Sequence, residues 1–87
     1  MKFTAVEWID SKGGPAAWEH RQGLQPLEPA VCLSVGFISQ ETRKHVTLVQ
    51  TISSAQVLGR ISIPKCAIVR RFQIPIGTKA KIALPSD

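Results

Sequence analysis

Two apolar runs that alternate with polar positions occupy the middle of the chain, between positions 31 and 52. Period-two alternation indicates strands that are half-buried. The short polar segment 40–44 between the two runs predicts a turn, and the two runs therefore predict a β-hairpin. The residues that share a face are Val31, Leu33, Val35 and Phe37 in the first run, and Val46, Leu48 and Ile52 in the second. We predict that the other strands pair with this hairpin.

Four further segments have the character of strand or turn. Residues 2–9 alternate with apolar side chains on both faces, which predicts a first strand covered on both sides, in part by a neighbouring subunit. Residues 59–63 predict a short strand that Pro64 ends, because proline cannot donate to the ladder. Segment 65–67 has room for one helical turn, and 68–74 predicts the last barrel strand.

This order of elements predicts an all-β fold, namely a small SH3-like or Sm-like barrel of about five strands. Residues 1–87 form a single domain, in which 1–74 are the barrel and 75–87 are an extra strand or an oligomerisation tail. Gly36 predicts a bulge or sharp bend that lets its strand curl into the barrel. The small core of so short a chain favours self-association, because contacts between copies add burial.

A long loop over 10–29 separates the first strand from the hairpin, and glycine and proline interrupt every regular pattern within it. Segment 16–21 has room for one helical turn after Pro15. Long loops in small domains are often functional. Two roles for this loop are open. In the first, Trp18 caps an open end of the barrel; in the second, Trp18 stacks on a planar ligand and Arg21 binds an anion.

The formal net charge of the 87 residues is +5, and the sequence pI is about 9.8. This surplus favours anionic partners such as a nucleotide, a nucleic acid or an acidic protein surface, although it also serves solubility alone. Strand alternation places Arg70 and Arg71 on opposite faces. The candidate ligand-binding residues are one aromatic residue and five cations on loops or strand ends: Trp18, Arg21, Arg43, Lys44, Arg60 and Lys65.

Motifs of known catalytic chemistry are nearly absent. The sequence contains no nucleophile elbow, no phosphate-binding GxxxxGK[ST] and no HExxH, and no pair of carboxylates is marked out as an acid/base couple. A triad can be assembled on paper from Asp10, Ser11 and His20, as in any small protein, and Asp10 before Ser11 more simply forms an Asx-type turn. We therefore predict a protein that is not an enzyme and uses no cofactor.

The cysteines and the ends of the chain add two expectations. Cys32 and Cys66 form no CxxC unit, and with His20 and His45 they show no ligand spacing of a metal site. Both cysteines are predicted to be small buried residues rather than a disulfide. No stretch is long and apolar enough to span a bilayer, and Glu7 interrupts the apolar start of the chain, which predicts a cytoplasmic protein.

Four short stretches of this chain resemble one group of proteins. They are VEWIDS at 6–11, Trp18, CLSVGFI at 32–38 and IPKCAI at 63–68. The arrangement VEWxDS…W…C.SVG[WF]…IPK.[AC]I resembles a family of short, uncharacterised proteins of tailed phages and prophages. The resemblance covers the chain to about Phe72. It implies a phage source, a small β-barrel and a host-directed role, such as sequestering a nucleotide signal of host defence, and it carries over no catalytic residue.

The sequence thus predicts a self-associating, non-enzymatic binding protein of the host cytoplasm whose ligand is anionic, either a nucleotide or a nucleic acid. Two alternatives are open. The first is a protein-interaction module that inhibits or redirects a host protein. The second is a small nucleotide hydrolase that uses Asp10 and His20. The response to salt separates the ligands, because affinity for many phosphates falls steeply with salt and affinity for one or two falls slowly.

Overall fold

Five antiparallel strands form one sheet in the computed structural model, which describes residues 3–75. The strands are β1 (Phe3–Asp10), β2 (Ala30–Glu41), β3 (His45–Ile52), β4 (Val57–Pro64) and β5 (Ile68–Gln73), and one 3-10 turn (Lys65–Ala67) precedes β5. Their order across the sheet is β4-β3-β2-β1-β5. The all-β class, the central hairpin and the helical turn before the last strand are confirmed. The predicted tail element lies outside the described residues, apart from Pro75.

The sheet is not closed into a barrel, which corrects the predicted SH3-like or Sm-like barrel. β4 and β5 are the two edges, and no ladder joins them within residues 3–75. The edges approach at one corner, where the 3-10 turn connects Pro64 to Ile68. Four residues of extended chain span at most about 14 Å, so Pro64 at the end of β4 and Ile68 at the start of β5 lie within that distance. The sheet is therefore curled, with the open side between β4 and β5.

The inner face of the curled sheet carries the hydrophobic core. The buried cluster consists of Val6, Val46, Leu48 and Ile63, against which Trp8, Ile38 and Ile68 pack. Every strand contributes to this cluster, so the core depends on the pairing of all five. Trp8 packs its ring here while its Nε1–H donates to the Ser34 hydroxyl at 3.0 Å, which satisfies the polar end of the indole.

The outer face of the sheet is also apolar, and much of it is exposed. Val31, Leu33 and Val35 lie on this face with exposed fractions of 69, 64 and 40%. The alternation along β2 was predicted correctly, but the same alternation implied that the face with Val31, Leu33 and Val35 is the buried one. The core side of β2 instead carries Cys32, Ser34, Gly36 and Ile38, which follows from the register with β1 and β3. Small residues are needed there because Trp8 and the β3 backbone occupy the space.

Gly36 marks the point at which β2 separates from β3. The β2–β3 ladder covers only the second half of β2, and the first half pairs with β1. A Cβ atom on Gly36 would lie 2.7 Å from the carbonyl oxygen of Val49, so only glycine fits this close approach. The bulge predicted at Gly36 lies further along, because the register shifts between Ile38 and Gln40.

Residues 11–29 form an arm between β1 and β2 that contains neither helix nor strand. The helical turn predicted over 16–21 is therefore wrong, and the local structure there is limited to bends and a bond from Ala17 N–H to the Pro15 carbonyl at 2.8 Å. Every residue of the arm is exposed. Both of its ends are fixed at one paired position, since Asp10 lies opposite Ala30. The arm thus leaves the end of the sheet without packing on it.

Candidate anion-binding site

The charged side chains of Glu41, Lys65 and Arg71 meet where the 3-10 turn lies against the β2–β3 turn. The tip of that turn carries Arg43 and Lys44, and we call the whole region the cationic corner. Its members are four cations and one carboxylate: Arg43, Lys44, Lys65, Arg71 and Glu41. Arg71 donates two bonds to the Glu41 carboxylate, from Nη1 to Oε1 at 3.1 Å and from Nη2 to Oε2 at 2.9 Å. Lys65 Nζ lies 2.9 Å from the same Oε2. Four positive charges and one negative charge leave the corner with a formal charge of +3.

The β2–β3 turn fixes the backbone of the two cations at its tip. Thr42 Oγ1 accepts the backbone N–H of Lys44 at 3.2 Å and that of His45 at 3.1 Å, while Thr42 N–H donates to the His45 carbonyl at 2.9 Å. The backbone N–H of Lys65 donates to the Lys44 carbonyl at 2.8 Å, which ties the 3-10 turn to the hairpin. Among the described residues, neither Arg43 nor Lys44 forms an ion pair. Both are therefore available to a ligand.

Through its carboxylate, Glu41 holds the side chains of Lys65 and Arg71 in place. The pKa of its carboxyl group is lowered from the usual 4.5 to about 2, chiefly by the hydrogen bonds from Arg71 and then by those from Lys65. The carboxylate consequently stays charged across the physiological range. It holds two cations from distant parts of the chain side by side, which mutual repulsion would otherwise separate.

Acid is expected to remove the contribution of Glu41 to stability. Because the pKa in the folded state lies below the value in the unfolded chain, the contribution is complete above the unfolded value and is lost as the pH falls through the folded value. The loss should occur between pH 4.5 and about 2. Thermal unfolding of the native protein and of Glu41→Gln should therefore show an advantage of the native chain near neutrality that disappears in this window.

The matched control for this experiment is Glu28→Gln, because Glu28 lies on the exposed arm and forms no ion pair in the part of the chain that the structure describes. This variant should follow the native protein at every pH. A constant difference between Glu41→Gln and the native protein from neutrality to strong acid would contradict the assignment.

Arg60 does not belong to the cationic corner. It lies on the edge strand β4 opposite Val49, four residues along β3 from His45, which is roughly 13 Å. It lines a cleft of about 430 Å³ that opens where β2 and β3 separate. The other residues of the cleft are Leu33, Ser34, Val35, Leu48, Gln50, Gly59 and Ile61.

Trp18 and Arg21 belong to the arm, which is attached at the other end of β2 from the corner. The strand from Ala30 to Glu41 covers at most about 36 Å. Trp18 has an exposed fraction of 102%, so the predicted role as a cap on the barrel end is wrong. Of the six predicted ligand-binding residues, the structure brings together Arg43, Lys44 and Lys65 and leaves the other three apart.

Sequence reasoning missed two members of the corner, Glu41 and Arg71. The residues are 30 positions apart, and only the curl of the sheet brings the end of β2 to β5. The one usable signal was the adjacent pair Arg70 and Arg71 in the last strand. Their predicted separation is confirmed, because Arg70 Nε bonds to Glu7 at 2.8 Å on the outer face and Arg71 reaches Glu41 on the inner side.

Among the described residues, the cysteines form no disulfide and the potential metal ligands form no metal site. Cys32 is half-buried and Cys66 is exposed on the 3-10 turn, and both are free thiols. The prediction that both are buried is therefore wrong for Cys66. Within residues 3–75, no three or more His, Cys, Asp or Glu side chains lie close enough to hold a metal ion. Nor does this region contain a helix of the length and hydrophobicity needed to cross a membrane.

Comparison with protein-family models, with curated proteins and with solved structures finds no match to this chain. The similarity to short phage proteins stays a prediction. The function must therefore be inferred from the geometry of the molecule.

Proposed function

We propose that this protein is a self-associating, non-enzymatic binding protein whose cationic corner takes a ligand that carries phosphate groups. The ligand is a nucleotide or a nucleic acid strand. The observation that carries the proposal is the +3 charge of the corner on a backbone that hydrogen bonds hold in place. Cationic donors bind phosphate oxygens through charge-assisted hydrogen bonds, and the backbone that carries these donors needs little ordering on binding.

The four cations of the corner have different parts in this proposal. Arg43 and Lys44 make the direct contacts, because they extend from the turn without an internal partner among the described residues. The ammonium of Lys65 has three donors and directs one to Glu41, which leaves two for a phosphate. Arg71 commits two nitrogens to Glu41 and acts mainly through its charge.

The chemistry of the carboxylates supports binding without turnover. Glu41 has a pKa of about 2, which makes it a weak general base near neutrality. Asp10 accepts the backbone N–H of Ser11 at 2.8 Å in a local turn. His20 lies on the exposed arm. The alternative of a nucleotide hydrolase that uses Asp10 and His20 has no further support from their surroundings.

The biological setting of the proposal rests on the phage-type motifs. They support a protein of the host cytoplasm that sequesters a nucleotide signal of host defence or binds host RNA. The strand order and the 3-10 turn before β5 support a relation to SH3-like and Sm-like folds, here with an open sheet. Of the two kinds of ligand, a single mononucleotide is the smaller, and its phosphate groups need only the corner of one chain.

Titration of the native protein with ATP and with a labelled single-stranded oligonucleotide, from about 50 to about 200 mM salt, tests the proposal. Contact with three to four phosphates of a strand should give a slope of log K against log salt of about −2 to −3, and ATP should give a shallower one. Pyrophosphate should compete with either ligand. Absence of binding to all three at low salt would overturn phosphate binding.

A second function, a protein-interaction module that acts on a host protein, is favoured by the exposed apolar outer face of the sheet. Contacts of that kind are insensitive to salt, since they depend on apolar burial rather than on charge. This alternative therefore predicts a stable complex with a host protein that persists at high salt and no bound small molecule.

A further inference from the structure

The outer face of the sheet carries exposed side chains that we call the apolar stripe: Ile9, Val31, Leu33, Val35 and Phe72. Cross-strand pairing makes the stripe continuous, since Ile9 lies opposite Val31, while Ala5 lies between Val35 and Phe72. The one carboxylate in these rows, Glu7, is neutralised by Arg70 at 2.8 Å. Monomeric proteins rarely expose a contiguous apolar patch of this extent, which indicates that the stripe is covered in the assembled protein.

The arm presents complementary side chains that its own sheet does not use. Trp18 is fully exposed, and Leu24 and Leu27 are more than half exposed. The arm carries Lys12 and Arg21 against Glu19 and Glu28, so two positive and two negative charges give a net charge of zero with neutral histidine. A neutral, apolar arm does not suit a phosphate backbone. It suits an uncharged protein surface such as the stripe.

We propose that the arm of one chain packs on the apolar stripe of a second copy, so that two arms are exchanged in a symmetric dimer. This inference rests on the self-association in the proposed function and is independent of phosphate binding. Continuity supports it, because the arm starts two residues after Ile9 and ends two residues before Val31. In a dimer with two-fold symmetry, each arm packs on the stripe of the other chain, so neither arm and neither stripe is left uncovered.

The area available is what a stable dimer needs. Trp18 alone offers ~150–250 Å². With the two arm leucines and the five stripe residues, each chain contributes an area on the order of the ~800 Å² that a standard interface buries per partner. The buried apolar core within residues 3–75 is small, with Ala5, Val6, Val46, Leu48, Val49 and Ile63 as its members. A second copy is therefore the partner that both the surface and the size of the core require.

Light scattering and sedimentation equilibrium over a range of concentrations test the exchange with the full chain. The native protein should be a dimer, and Trp18→Ala and Leu33→Glu should each weaken the dimer at least about tenfold. Both side chains are exposed in one chain, so circular dichroism should show folded variants. The matched control is Leu58→Glu, a comparably exposed leucine on the edge strand β4 that is not a member of the stripe, and this variant should stay dimeric.

Mixing the two variants gives the decisive measurement. A dimer of one Trp18→Ala chain and one Leu33→Glu chain keeps one intact arm on one intact stripe and places both substitutions in the other contact. Because Trp18 and Leu33 meet in that contact in the proposed dimer, their losses should not add, and the mixture should dimerise more tightly than either variant alone. A native protein that is monomeric at every concentration would overturn self-association and this inference together. A native dimer that neither variant weakens, or a mixture without rescue, would overturn the exchange and leave self-association standing. Phosphate binding is measured separately and stands or falls by itself.

Discussion

The Leu48→Ala variant is expected to lose about 2–5 kcal/mol of unfolding free energy. Leu48 is 1% exposed and lies on β3 opposite Ile38 on one side and Ile61 on the other. Truncation removes buried methyl groups and leaves a cavity that the paired strands cannot collapse to fill. A chain of this size is stabilised by about 4–13 kcal/mol in total, so the variant should lose a large part of its stability.

Urea denaturation followed by circular dichroism measures this loss. The protein concentration must be held constant, because self-association adds to the apparent stability. Leu58→Ala is the matched control, since Leu58 on β4 is 72% exposed and its truncation should change the free energy by less than about 0.5 kcal/mol. Equal effects of the two substitutions would show that the inner face of the sheet is not the core.

The double substitution of Arg43→Ala and Lys44→Ala is expected to lower the affinity for phosphate ligands by about 10–100-fold at low salt. It should also make the slope of log K against log salt shallower by about 1–2. The side chains at the tip of the turn supply the direct contacts, whereas the turn itself is held by the Thr42 hydroxyl and backbone N–H groups, which the substitutions keep. The fold should therefore be unchanged.

The double substitution of Lys12→Ala and Arg60→Ala is the control for net charge. It also removes two cations that form no ion pair among residues 3–75, but both lie outside the cationic corner. Affinity should change by less than about threefold if the corner is the site. Equal losses in the two double variants would mean that the overall charge of the protein, rather than the corner, attracts the ligand.

Strand positions were predictable because the period of two is a property of the local sequence. Apolar residues alternate through β2 and β3, and the proline at position 64 before a short segment indicated the 3-10 turn. The buried face was harder to predict. Neither face of β2 carries a charge before Glu41, and the face with the larger apolar residues is the exposed one. Only the register with Trp8 and Val49 decides which side faces the core.

The candidate site was predictable in part. Cations at a hairpin tip follow from the sequence, which is why Arg43 and Lys44 were identified. The link from Glu41 to Arg71 depends on the curl of the whole sheet, and no local pattern encodes a contact over 30 residues. For Trp18 the sequence left two roles open, a cap on a barrel end and stacking on a planar ligand. A loop without periodicity contains no information on whether it packs on its own domain or on a second copy.

The location of the ligand on the native chain tests phosphate binding at the cationic corner most directly. The measurement is a titration with pyrophosphate, followed by ¹H–¹⁵N NMR of the backbone amides. The largest shift changes should fall on Thr42, Lys44, His45 and Lys65, whose amides form the hydrogen bonds of the corner. Shifts confined to the arm around Trp18 and Arg21, or no shifts at low salt, would contradict the proposed site.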